Sequence, residues 1–183
     1  MDGARRTLRL PDPLDLDDAL ARAEPDGHGL TVLPFLAGER SPGWKGDAKA
    51  AVLGITQATR PVDILQAALE AVAYRIGLVF DLLQPLADPG PRVVAAGGAV
   101  LVHPAWLQII TDVLGVPVTA SQVREASARG AALLALESMG ALEDLSAAPS
   151  FLGPSFEPRT DHHRRYREAM KRQAEAYDKL VGD

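Results

Sequence analysis

The sequence predicts an α/β domain in which a central sheet is flanked by helices, and three observations support this. Short apolar runs at residues 29–36, 50–56, 93–96 and 116–120 alternate with longer stretches of helical spacing. Turn signals separate them: Pro25-Asp26-Gly27, Asp88-Pro89-Gly90-Pro91, Gly115 and Gly140. Hydrophobic residues fill 47% of the 183 positions, enough to close one core.

Composition also narrows the function. A net charge of −5 argues against nucleic acid or an anionic membrane as the main partner. The most apolar region, residues 93–110, is broken by Gly97, Gly98, His103, Pro104 and Gln108, so no bilayer span is expected. Met1-Asp2-Gly3-Ala4-Arg5-Arg6 carries charge but no apolar stretch of a secretory signal, and a cytoplasmic protein is the expectation. Without cysteine there is no disulfide and no thiolate nucleophile or metal site.

Residues 1–27 read as an N-terminal arm or the remnant of an upstream element, with a short helical pattern over 14–23. Residues 29–36 form a buried strand stopped by Pro34, and a polar loop follows to Trp44. In that loop Glu39 and Arg40 are either a solvated pair or contacts to a ligand, since α/β proteins place such contacts directly after strands. After the second strand, Thr59-Arg60-Pro61 opens a long helix to about Leu86, apolar on most sides and therefore buried on most sides. Glu70 and Arg75 interrupt that apolar content and read as an edge-of-core pair or as snorkelling side chains.

Next comes Val93-Val94-Ala95-Ala96-Gly97-Gly98-Ala99, a strand running into two glycines, with a helix from about Pro104 to Leu114. Two readings remain open here. The glycines are a tight linking turn, or they let a phosphate-bearing ligand approach free backbone N–H groups near a helix start. The strand at 116–120 is expected near a sheet edge because of Pro117. An alanine-rich helix from Glu125 to Met139 contains Gly130, where a close backbone approach is expected. Residues 144–159 read as loop. Thr160 caps a last helix lined by Tyr166, Met170, Gln173, Tyr177 and Leu180, with Arg164, Arg165 and Arg167 on a solvated face. His162 and His163 are adjacent and poorly placed to share a metal, and no metal site is expected.

Four segments in this order, over about residues 28–183, resemble the C-terminal domain of the FGGY carbohydrate kinases. They are Gly38-Glu39-Arg40-Ser41-Pro42, the block from Gly54-Ile55-Thr56 to Leu69-Glu70, the Gly97-Gly98-Ala99 turn, and Glu125-Ala126-Ser127-Ala128-Arg129-Gly130-Ala131-Ala132. The resemblance implies an actin-like, ribonuclease H-like fold, with ATP in a cleft between two domains and the sugar held mainly by the N-terminal one. It implies that Gly97, Gly98 and Ala99 lie against the adenosine side of the nucleotide and that Gly54 approaches phosphates and ribose. Some relatives place an asparagine near the base, where this chain has Val102 and His103. Trp106 and Gln108 match positions that look structural. Mg²⁺ would be held mainly through the nucleotide and the N-terminal domain.

The same family carries an Asp-x-Gly-Thr phosphate hairpin and a general-base aspartate before this domain, and neither pattern is present here. None of Asp12, Asp15, Asp17 or Asp18 sits in a motif that nominates it as that base. The expectation is an ATP-binding half of a kinase, inactive alone, with gluconate the first choice of substrate and xylulose the second. A non-catalytic nucleotide-binding or interaction module of the same fold is the alternative. A dinucleotide-binding domain would need Gly-x-Gly-x-x-Gly and a later acid, and Ala96-Gly97-Gly98-Ala99-Val100-Leu101 lacks the third glycine. The resemblance also implies an exposed apolar face around residues 29–44 and the glycine turn, which leaves homo-oligomerisation open.

Overall fold

In the computed structural model, residues 13–88 and 90–182 are described. The first part of the expected arm, with Asp12, and Pro89 of the expected turn lie outside the described residues. The elements run α1 (Pro13–Arg22), β1 (Thr31–Leu33), β2 (Ala51–Leu53), α2 (Pro61–Leu83), β3 (Val93–Ala95), α3 (Gly98–Val102), α4 (Pro104–Leu114), β4 (Val118–Ser121), α5 (Ala126–Ser138), β5 (Leu152–Phe156) and α6 (Thr160–Leu180). Single 3₁₀ turns follow α2 at Gln84–Leu86 and precede β5 at Leu145–Ala147.

The expected central sheet is two small sheets among the described residues. β1 and β2 pair antiparallel with Val32 opposite Val52. β3, β4 and β5 form a second sheet in that order. β3 and β4 are parallel, Val94 opposite Thr119, which the α3–α4 crossover makes possible. β4 and β5 are antiparallel, with a register shift between Thr119 and Ser121. β4 is therefore the middle strand, not an edge strand. Pro117 falls just before the ladder begins, so its missing N–H costs no sheet bond. β5 was read as loop because Gly153 and Pro154 mask it, and an edge strand tolerates that proline.

The main core is built by α2, α4 and α6 under β4. Leu107, Val113 and Val118 are at most 2% exposed and pack with Ala73, Tyr166 and Ala169. Each such aliphatic side chain contributes about 1.5–3 kcal/mol on leaving water. α2 is buried through Gly77, but its last turns expose Leu82 and Leu83, so the expectation of burial on most sides holds only for its first part. α1 is not a loose arm: Leu20 packs against Leu65 and Leu69, with Trp106 alongside.

Several helix ends are fixed by side chains from elsewhere. The start of α6 is not capped by Thr160; the preceding Arg159 donates its backbone N–H to Asp112 Oδ1 of α4 at 2.8 Å. Asp112 is fully buried and also accepts from the Arg159 guanidinium, 2.6 and 3.0 Å away, and from Gln108. His163 Nδ1 lies 2.8 Å from the Asp112 carbonyl oxygen, while His162 Nδ1 lies 3.6 Å from its carboxylate.

Candidate functional site

The glycine turn sits where β3 hands the chain to α3. Gly97 has φ +113°, a conformation that side chains rarely adopt, and its carbonyl begins the short helix by accepting from Leu101 N–H. A Cβ built on Gly97 or Gly98 would meet nothing within 4 Å, so the space in front of both is open. The turn therefore keeps its backbone accessible rather than packed. α3 was not anticipated; it occupies the step between the glycines and Pro104. Val102 projects from it, 68% exposed. His103 stands between α3 and α4, its Nδ1 3.8 Å from Asp17 Oδ1 on α1. Ala99 belongs to the same helical turn by its backbone.

Gly54 lies in the other sheet, directly after β2. Its φ is +86°, and a Cβ there would press on the Gly29 carbonyl oxygen at 2.7 Å. The glycine is required by this backbone contact whatever else approaches it. The candidate residues thus fall into a corner at the end of β3, namely Gly97, Gly98, Ala99, Val102 and His103, and one position at the end of β2. Trp106 and Gln108 do serve the framework: Trp106 Nε1 donates to the Leu69 carbonyl at 3.2 Å, and Gln108 Nε2 to that of Glu157 at 2.9 Å.

Glu39 and Arg40 diverge. Arg40 is exposed, whereas Glu39 is 4% exposed and faces inward. The Arg75 guanidinium donates to Glu39 Oε1, and Tyr177 OH donates to Oε2 at 2.6 Å. Arg75 also lies over the rings of Phe35 and Tyr177, 5.3 and 5.2 Å from their centroids, a cation–π arrangement. The Glu39 hydrogen bond and then burial push the Tyr177 phenol up to about 12. Glu39 is thus not in a solvated pair with Arg40, and Arg75 does not snorkel; the two brace the loop that presents Arg40 and Trp44.

Glu70, with Asp112 and Glu39, is a third buried carboxylate, and its role is not visible in the sequence. It is fully buried and accepts from Gln66 Nε2 (2.8 Å), Tyr74 OH (2.9 Å), Tyr166 OH (3.4 Å) and the Asp26 backbone N–H. His28 completes the set. Leu30 N–H donates to its Nδ1 at 2.9 Å, so Nε2 carries the proton and donates to Glu70 Oε2 at 3.0 Å. Burial first, and then the Glu70 charge, raise the Tyr74 and Tyr166 phenols well above their ordinary value. Asp26, His28 and Glu70 offer ligand atoms within 4.8 Å of one another. Asp26 is taken by Arg172 and Glu70 by its donors, so these atoms are committed to hydrogen bonds. A charged residue inside an apolar helix was the one sequence signal for this cluster.

Gly130 corrects another expectation. No backbone approaches it; a Cβ there meets nothing within 4 Å. It lines an open cavity between α5 and the three-stranded sheet instead.

Helices layered on two small sheets, with a β–glycine–α corner, are compatible with an actin-like fold, and the family and structural matches show it. The chain belongs to the FGGY family of carbohydrate kinases, matching the model of that family's C-terminal domain over residues 3–139. It is 32% identical over 136 residues to glycerol kinase 1 of Thermotoga maritima, covering 74% of this chain and 27% of that protein. It is 32% identical over 163 residues to the gluconokinase of Bacillus subtilis, covering 87% and 32%. Among solved structures it resembles Plasmodium falciparum glycerol kinase with ADP, at a TM-score of 0.76 and 21% identity over 98% of this chain and 36% of that one. The chain therefore spans about a third of the length of the relatives it matches.

Proposed function

We propose that this chain is the ATP-binding half of a carbohydrate kinase, with residues 28–183 as the nucleotide-binding unit and the corner at Gly97 and Gly98 as the adenosine side of the site. The observation that carries this is the open space in front of both glycines, where backbone is reachable and any side chain would intrude on a ligand. A short helix begins at Gly98, and no side chain caps its start. The structural likeness to a glycerol kinase with ADP supports a nucleotide as the ligand.

Phosphoryl transfer needs a positioned acceptor and neutralisation of charge on the transferred group. At the edge of the corner Asp17 lies 3.8 Å from His103. Mg²⁺ arrives with the nucleotide and is held mainly by a partner domain. The acceptor is a sugar or sugar acid supplied by that domain, gluconate in first place and xylulose in second. A gluconokinase is among the relatives, at 32% identity over 87% of the chain, beside a glycerol kinase at 32% over 74%. A non-catalytic nucleotide-binding module of the same fold is the second reading.

Calorimetric titration of MgATP into the chain, alongside Gly98→Trp, tests the site. Saturable binding that the tryptophan abolishes, with unchanged circular dichroism, is expected. Binding that survives Gly98→Trp would place the nucleotide elsewhere. Adding a family N-terminal domain should restore sugar-dependent ADP release, which the chain alone should not show; binding without such restoration would favour the second reading.

A further inference from the structure

A cavity whose lining includes neither Gly97 nor Gly98 lies beside α5. It occupies about 540 Å³ between α5, the three-stranded sheet and the returning segment at residues 145–152. That volume suits a small organic ligand. Val94, Val123, Leu133, Leu134 and Phe151 supply apolar wall, yet no residue of α5 is buried by the protein itself. Gly130 leaves further room on the helix side.

Arg129 gives the cavity its chemistry. Its guanidinium lies 5.4 Å from the centroid of the Phe151 ring and donates to the Pro149 carbonyl at 2.6 Å. Among the described residues it has no carboxylate partner. Arg159, Arg164, Arg165, Arg167 and Arg172 each pair with an acid. An arginine held in place over an aromatic ring, uncompensated and beside apolar wall, is complementary to an anion carried on an apolar body.

We propose that this cavity binds a small amphipathic organic anion, with Arg129 holding the anionic group and Val94, Leu133, Leu134 and Phe151 enclosing the apolar part. Its lining takes in Val94 of β3, the strand that leads into the glycine turn, but neither Gly97 nor Gly98. A ligand in it would fix α5 to the sheet and so bear on the position of a helix that carries one of the family segments.

The test uses 1-naphthoate as probe, followed by amide chemical shifts of the isotopically labelled 183-residue chain. Saturable shifts should cluster at residues 126–134 and 145–152. The neutral analogue 1-naphthalenemethanol should bind about tenfold more weakly, and Arg129→Gln should bring naphthoate down to that level. Gly130→Leu fills the cavity without a backbone clash and raises helix propensity, so it should abolish the shifts while the melting temperature holds. Shifts centred on Gly97 and Gly98, equal affinity for acid and alcohol, or undiminished binding to Gly130→Leu would each overturn the proposal.

Discussion

Tyr177 shows how one hydroxyl can hold a loop. Its O–H donates to Glu39 Oε2 at 2.6 Å, and its ring meets Phe35 edge-on with centroids 5.8 Å apart and lies beside the Arg75 guanidinium. Tyr177→Phe keeps the ring contacts and removes only the bond to a buried carboxylate, a loss of about 1–2 kcal/mol at neutral pH by chemical denaturation. The pH dependence has a definite sign. The phenol is raised from 10.0 to about 12, so the native state binds this proton more tightly than the unfolded chain does. The contribution is complete below pH 10 and fades as pH rises toward about 12. The penalty of Tyr177→Phe should therefore shrink between pH 8 and pH 11. An equal penalty at both would mean that the Glu39 bond is not what the hydroxyl contributes.

At the scale of elements, Glu70 is the joint at which α2, α6 and the segment leading into β1 meet. Its donors come from each: Gln66 and Tyr74 on α2, Tyr166 on α6, and His28 with the Asp26 backbone before β1. Glu70→Gln keeps the volume but turns an amide N–H₂ toward groups that are themselves donors. The expected cost is about 3 kcal/mol, and the amides of residues 26–33 should lose hydrogen-exchange protection first. Uniform loss of protection across all helices would refute the idea of a local joint. Periodicity alone located α2 and α6 because their burial repeats along their own sequence. It could not show that Glu39 and Glu70 are interior, since their partners stand up to 138 and 96 residues away. β5 escaped for a different reason: a strand containing Gly153-Pro154 carries turn chemistry, and only its pairing with β4 makes it a strand. The turn at Gly97 was legible because a positive φ is a conformation glycine favours. The cavity at Gly130 was not, because an empty volume leaves no mark on the sequence that lines it.

For the whole molecule, the decisive feature is apolar surface that the described residues do not cover. Leu36 is 92% exposed, Trp44 70% and Ile55 59%, all on the segments around β1 and β2. Val52 and Leu53 of β2 are more than a third exposed as well, although their strand pairs on one side only. A short strand with an open edge and an apolar face is a template for association. The chain should self-associate through this surface. Sedimentation velocity is expected to show a weight-average coefficient that climbs with concentration. Ile55→Lys, at a position already 59% exposed, should return the chain to a monomer, because one buried ammonium at an apolar contact costs more than the methyl groups around it return. A wild-type chain that stays monomeric over the same range would mean that the face is tolerated in water and that another domain is not needed to cover it.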